Sequence, residues 1–101
     1  MITAIVRFPL KSGTSLADAA KLFEGSAPKY RHLAGLIRKY YIFDGADGGG
    51  VYLWESRASA ERVYTADWRK MIAERYGAEP QISYFDTPVV VDNESDEVIV
   101  E

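Results

Sequence analysis

The sequence predicts an α+β fold in which a four-stranded antiparallel sheet carries its helices on one face. Three observations lead there. Short runs of β-branched and aromatic residues recur at 2–8, 36–44, 48–56 and 81–91, which is the chemistry of strands. Between the first two runs, and again between the last two, lie stretches whose apolar residues repeat at helical spacing. Glycine, proline and Asp-Gly steps mark the boundaries, so the order reads β-α-β-β-α-β.

The totals bound this reading. A chain of 101 residues is expected to fold as one domain, and 48 % hydrophobic with 27 % charged residues is the balance of a globular protein. With no cysteines, disulfides and thiolate metal sites are excluded, and no other metal site is indicated. The opening "MITAIVRFPLKSG" is too short for a membrane span and lacks a cleavage pattern, so a soluble cytoplasmic protein is expected. A formal charge of −3 with scattered basic residues argues against a polyanionic partner.

The first strand, 2–8, stops at Pro9. "KSGTS" then turns the chain, and Thr14 or Ser15 can cap a helix. Ser15 with Asp18 has the spacing of a capping box built with the shorter acid. Leu16, Ala19, Ala20, Phe23, Ala27 and Tyr30 form one apolar helical stripe. Pro28 lies inside that stripe, after Gly25 and Ser26, and predicts a break there, with Ser26 restarting the helix. Gly35 ends the unit. "LIRKYYIFD", 36–44, is the second strand, and in "GADGGG" the Asp47–Gly48 step is the turn signal, with the glycines 48–50 as turn residues. "GGGVYLWES", 48–56, is the third strand. From Ser56 the period is helical again through Ala60, Val63 and Tyr64; "TAD" interrupts it, and Trp68, Met71, Ile72 and Arg75 resume it. Gly77 and Pro80 close that region. "QISYFDTPVVV", 81–91, is a fourth strand interrupted by Pro88 and so placed at an edge or a bend. Residues 1–93 are expected to form the domain. Residues 94–101 are an acidic tail that dangles or adds a short strand to an edge.

This order is the split βαβ, or ferredoxin-like, pattern, and right-handed crossovers put both helical regions on one face of the sheet. The strands nevertheless carry apolar residues on both faces. The second offers Leu36, Tyr40 and Ile42 against Ile37, Tyr41 and Phe43; the third offers Val51 and Leu53 against Tyr52 and Trp54. Helices cover only one side. A bare second face would be a larger apolar patch than monomers usually expose, so a homodimer packed sheet to sheet is expected.

The stretches "AGLIRKYYIF", "GGGVYLWES" and "YFDTPVVVDN", in this order and around these helices, resemble the YdhR-like monooxygenases of the dimeric α+β barrel superfamily, which includes antibiotic-biosynthesis monooxygenases. The resemblance covers roughly residues 1–93. It implies a ferredoxin-like protomer whose sheet joins its partner's in a barrel, and a pocket between sheet and helices. It also implies monooxygenase chemistry without metal, flavin or other cofactor, in which an electron-rich phenolic or enolic substrate is deprotonated and passes an electron to dioxygen. A small hydrophobic aromatic or polyketide-like substrate is the implied class. The alternative is a barrel of the same fold that binds a small apolar molecule without catalysis, because the fold hosts both.

Tyr41, Tyr52, Trp54, Tyr64 and Trp68 are the candidate substrate-binding residues, since polar tips in apolar walls suit a flat aromatic ligand. Each also reads as core or dimer packing. If residues 41 and 52 face each other, Lys39, Tyr41, Tyr52 and Trp54 share one patch; a slip of one residue brings in Arg38 and Tyr40 instead. His32, the only histidine, and Lys39 are the candidate catalytic residues, as a base for a phenol or a stabiliser of an oxyanion. The plainer readings are a helix-end histidine and a lysine paired with Glu55 or in solvent. Asp86 beside Phe85 is either a base with a raised pKa or a turn cap. Haem is rejected: "ADWRKMIAERYG" offers Trp68 but not the histidine that the haem-degrading relatives carry on that helix. The glycines 48–50 do not make a phosphate loop, as no Lys-Ser/Thr follows, and the motifs of RNA-recognition modules are missing.

Overall fold

The computed structural model describes residues 1–101. Strands β1 (Ile2–Pro9), β2 (Leu36–Phe43), β3 (Asp47–Trp54) and β4 (Gln81–Asp86) form one sheet in the order β2-β3-β1-β4, every neighbouring pair antiparallel. Helices α1 (Leu16–Ser26), α2 (Arg57–Val63) and α3 (Ala66–Tyr76) pack on one face of it. The ferredoxin-like α+β order is therefore present, with its second helical region in two pieces.

The helix boundaries follow from capping. Ser15 Oγ accepts from the Asp18 backbone N–H at 3.1 Å, and the Asp18 carboxylate accepts from the Ser15 N–H at 3.3 Å, completing the box. After Ser26 the chain tightens into a single 3₁₀ turn, Ala27–Lys29, with Pro28 in its opening positions, where a missing N–H costs nothing. Ser26 does not cap that turn with its side chain. Ser56 and Thr65 each accept from the N–H three residues on, starting α2 and α3, and Gly77, in a left-handed conformation, ends α3.

The core lies between sheet and helices. Ala4, Val6 and Phe8 point inward along β1, Tyr52 and Trp54 along β3, and they meet Ala19 and Phe23 of α1 and Trp68 and Ile72 of α3. Burying each large side chain is worth about 1.5–3 kcal/mol, so this layer dominates stability.

Four local features depart from the sequence reading. The β2–β3 turn is centred on Gly45 and Ala46, not on Asp47–Gly48, because the Asp44 carboxylate accepts from the N–H groups of Ala46 and Asp47 at 2.9 and 2.6 Å. The glycines 48–50 are consequently strand residues, and buried. Glycine is required by space: a Cβ on Gly49 would lie 1.8 Å from the Val6 carbonyl oxygen, and one on Gly48 about 3 Å from Leu10 and Phe23. A bulge between Leu36 and Arg38 turns Leu36 to the helix side with Tyr41 and Phe43, away from Tyr40 and Ile42. Finally, the run through Pro88 is two strands. β4 ends at Asp86, and β5 (Val89–Asp92) pairs with β6 (Glu97–Val100) in a separate hairpin, tied to β2 by Arg38 and Asp92 at 3.3 Å.

The opposite face of the sheet is half apolar and uncovered by helices. Tyr40 is 55 % and Phe85 53 % exposed there, while Val51 and Leu53 are half-buried.

Candidate functional site

Register decides which side chains meet. Lys39 faces Tyr52 and Tyr41 faces Gly50 across the β2–β3 ladder. This differs by two residues from a 41–52 pairing, an even step that leaves the faces unchanged. Lys39, Tyr41, Tyr52 and Trp54 therefore share the helix side, and Arg38 and Tyr40 point the other way.

These residues form a continuous aromatic layer. Trp54 is fully buried and stacks on Tyr52 with ring centroids 5.9 Å apart, and its indole N–H donates to the Tyr64 hydroxyl at 3.1 Å. Tyr64 in turn packs on Trp68 at 4.7 Å. The Trp68 indole N–H donates to the Tyr30 hydroxyl at 3.1 Å, linking α3 to the chain after α1. The Tyr41 and Ser26 hydroxyls are 2.7 Å apart. Burial pushes the phenols of Tyr52, Tyr64 and Tyr41 above their ordinary pKa, so all are neutral hydrogen-bonding groups at physiological pH.

Lys39 is the exception in this layer. Its side chain runs inward over Gly50, where a Cβ would lie 3.0 Å from the lysine Cε and 2.8 Å from the Tyr52 ring. Its Nζ sits 3.4 Å from the ring centre of Tyr30, 3.8 Å from that of Tyr41 and 4.5 Å from that of Tyr52. None of the ion pairs includes it, and Glu55 is exposed elsewhere. Burial pushes its pKa down to about 7; the three ring faces attract a cation and oppose that push.

Lys39 lines two spaces. One is a void of about 10 Å³ between Lys39, Tyr52, Met71 and Arg75, room for a water molecule at most. The other is an open groove of about 300 Å³ lined by Tyr30, His32, Leu36, Lys39 and Tyr41. No carboxylate lines either space. Tyr41 is also a wall of a second groove, about 590 Å³ and almost entirely apolar, between α1 and the β2 edge.

His32 lies in the turn after the 3₁₀ segment, exposed, with a left-handed backbone (φ 57°). It thus shares a groove with Lys39, while Trp54, Tyr64 and Trp68 form the wall behind the cage. Asp86 is exposed at the end of β4. No group of three or more His, Asp or Glu side chains gathers where it would hold a metal. Sequence reasoning missed Tyr30, the residue nearest the amine, and Ser26. The only signal for Tyr30 in the sequence is its place in the apolar stripe with Phe23 and Ala27, and the turn after Ser26 carries it to the sheet.

No protein-family model matches this chain, and no curated protein matches it in sequence. Its fold is found among solved structures. The NE2512 protein of Nitrosomonas europaea, of unknown function, superposes with a TM-score of 0.66 at 16 % identity, over 85 % of this chain and 87 % of that one. SnoaB, a cofactor-independent oxygenase from Streptomyces nogalater, gives 0.62 at 12 %, over 85 % and 91 %. The ActVA-Orf6 monooxygenase of Streptomyces coelicolor, solved with nanaomycin D, gives 0.61 at 20 %, over 85 % and 86 %. At these identities the likeness establishes architecture: the chain shares the ferredoxin-like α+β fold of these structures.

Proposed function

We propose that the protein is a cofactor-independent monooxygenase of the YdhR-like kind, acting on a small hydrophobic aromatic or polyketide-like substrate with dioxygen. The observation that carries this reading is the Lys39 amine, held among three tyrosine rings, on a residue that lines a groove with no carboxylate in its wall. The fold shared with SnoaB and the ActVA-Orf6 monooxygenase supports it.

In this reading a phenol or enol lies in the groove against Tyr30 and Tyr41. Lys39 takes the acidic proton, and the ammonium so formed holds the substrate anion in place. The anion then reduces dioxygen; one oxygen atom enters the ring as a carbonyl and the other leaves as water with the two displaced hydrogens. His32 at the groove mouth relays protons to solvent. Tyr52, Trp54, Tyr64 and Trp68 shape the wall. The working unit is a cytoplasmic homodimer in which residues 1–93 build the barrel, joined through the exposed Tyr40 and Phe85 face, with 94–101 as an accessory tail.

Oxygen uptake with a panel of anthrones and hydroquinones tests the reading. The protein should accelerate uptake, and Lys39→Met should lower kcat by about 10²-fold or more. Uptake no faster with protein than without it overturns the oxygenase. The apolar groove along α1 favours a second reading, a non-catalytic binder, which saturable quenching of tryptophan fluorescence without turnover would establish.

A further inference from the structure

We infer that Lys39 is a covalent capture site for small carbonyl compounds, above all flat β-dicarbonyls, which it binds as an imine or enaminone. The inference rests on the placement of the site at Lys39 but not on dioxygen chemistry.

Geometry sets this amine apart from every other lysine of the chain. Lys11, Lys21, Lys29 and Lys70 are all exposed, whereas Lys39 is drawn under Tyr30 and against Tyr41 and Tyr52. The groups that face it are phenols from the end of the α1 segment, from β2 and from β3, with the Arg75 guanidinium across the small void from α3. Arg31, His32 and Arg38 line the groove outside. All the charge around the amine is positive or absent, and the Arg75 side chain is engaged elsewhere, donating to the Leu22 carbonyl at 2.8 Å. An ammonium here has only ring faces and no anion to hold it, burial favours the free amine, and a free amine in an apolar setting is a nucleophile. The open groove brings a carbonyl carbon to Nζ from the Tyr30–Tyr41 side, and the ring faces receive a flat conjugated adduct.

The step balances without any added oxidant or reductant. The Nζ lone pair attacks the carbonyl carbon and a C–N bond forms. The carbonyl oxygen then leaves as water with both amine hydrogens, and C=N remains. With a 1,3-diketone the product shifts to a conjugated enaminone, a stable ultraviolet chromophore.

The test is labelling of the full chain with acetylacetone under nitrogen, followed by intact mass and peptide mapping. Near pH 7 about half of Lys39 is uncharged, against roughly one in 10³ for an ordinary lysine. Allowing for the lower nucleophilicity of a weaker base, Lys39 should still label at least about tenfold faster than the other four lysines. Its rate should level off above pH 7–8, while theirs keep rising towards their ordinary pKa near ~10.4. Lys39→Arg should lose the fast label with its thermal transition retained. If that variant does not fold, the peptide map of the unaltered chain still decides. Labels spread over the exposed lysines with Lys39 unmodified would overturn the inference. Because the reaction needs no dioxygen, its failure and the failure of oxygen uptake are independent results.

Discussion

The two ends of the aromatic layer are built from the same kinds of ring and do different things. At the α2–α3 end, Trp54, Tyr64 and Trp68 are buried and each indole N–H has found a hydroxyl. At the β2 end, Tyr30 and Tyr41 are only half-buried and surround an amine without an acceptor. Aromatic content alone does not mark a site. What separates the two ends is whether the polar group among the rings has a side-chain partner in the protein, because one without such a partner keeps its chemistry available.

The comparison can be broken first at its closed end. Trp54→Ala should lower stability by about 3–5 kcal/mol, as removal of a fully buried aromatic does, read from the urea midpoint. If stability held and ligand affinity fell instead, the closed end would belong to the binding site.

Lys39→Met probes the open end with the opposite sign. In the folded protein the lysine pKa is lowered to about 7 from its ordinary value near ~10.4, so the unfolded chain binds more protons between those limits. Wild-type stability therefore rises with pH across that window as the folded-state penalty on the ammonium disappears. The Met variant should be more stable than wild type by about 4 kcal/mol at pH 6, the size of a fall from ~10.4 to about 7 at ~1.36 kcal/mol per pKa unit. That margin should shrink steadily to near zero above pH 10. Urea midpoints at three pH values check it, and a margin independent of pH would refute the linkage.

The smallest effect is expected behind the open end, where the last residue of α1 meets Tyr41. Ser26→Ala removes the hydroxyl partner of Tyr41 and should cost about 1 kcal/mol. It should also loosen the Tyr41 ring, measurable as faster amide exchange in β2.

How much of this was readable in the residues varies by element. The helices were legible because their signals are local: Ser15 with Asp18, the break around Pro28, and Gly77 all act within one turn of chain. The sharing of one face by Lys39, Tyr41, Tyr52 and Trp54 was legible up to a single alternative, since alternation leaves only two. The strand at 48–56 is legible, but the glycines that open it read as turn residues because their reason is distant in sequence: Val6, Leu10 and Phe23 occupy the space a side chain would need. The bulge that turns Leu36 inward is likewise a product of pairing and has no mark in "AGLIRKYYIF". The lone state of Lys39 is hidden for the same reason: Glu55, the partner the sequence suggests, makes no ion pair with it.

Bare backbone in the middle of β3 makes clearance above the sheet adjustable by single methyl groups. One added at residue 50 would press on the lysine stem and the neighbouring phenol ring, whereas one at 48, two residues back along the strand, would press on Leu10 and Phe23. The empty space over residue 50 is therefore part of what seats the amine: a side chain there would move the lysine itself, whereas one at 48 would act on the α1 side of the layer.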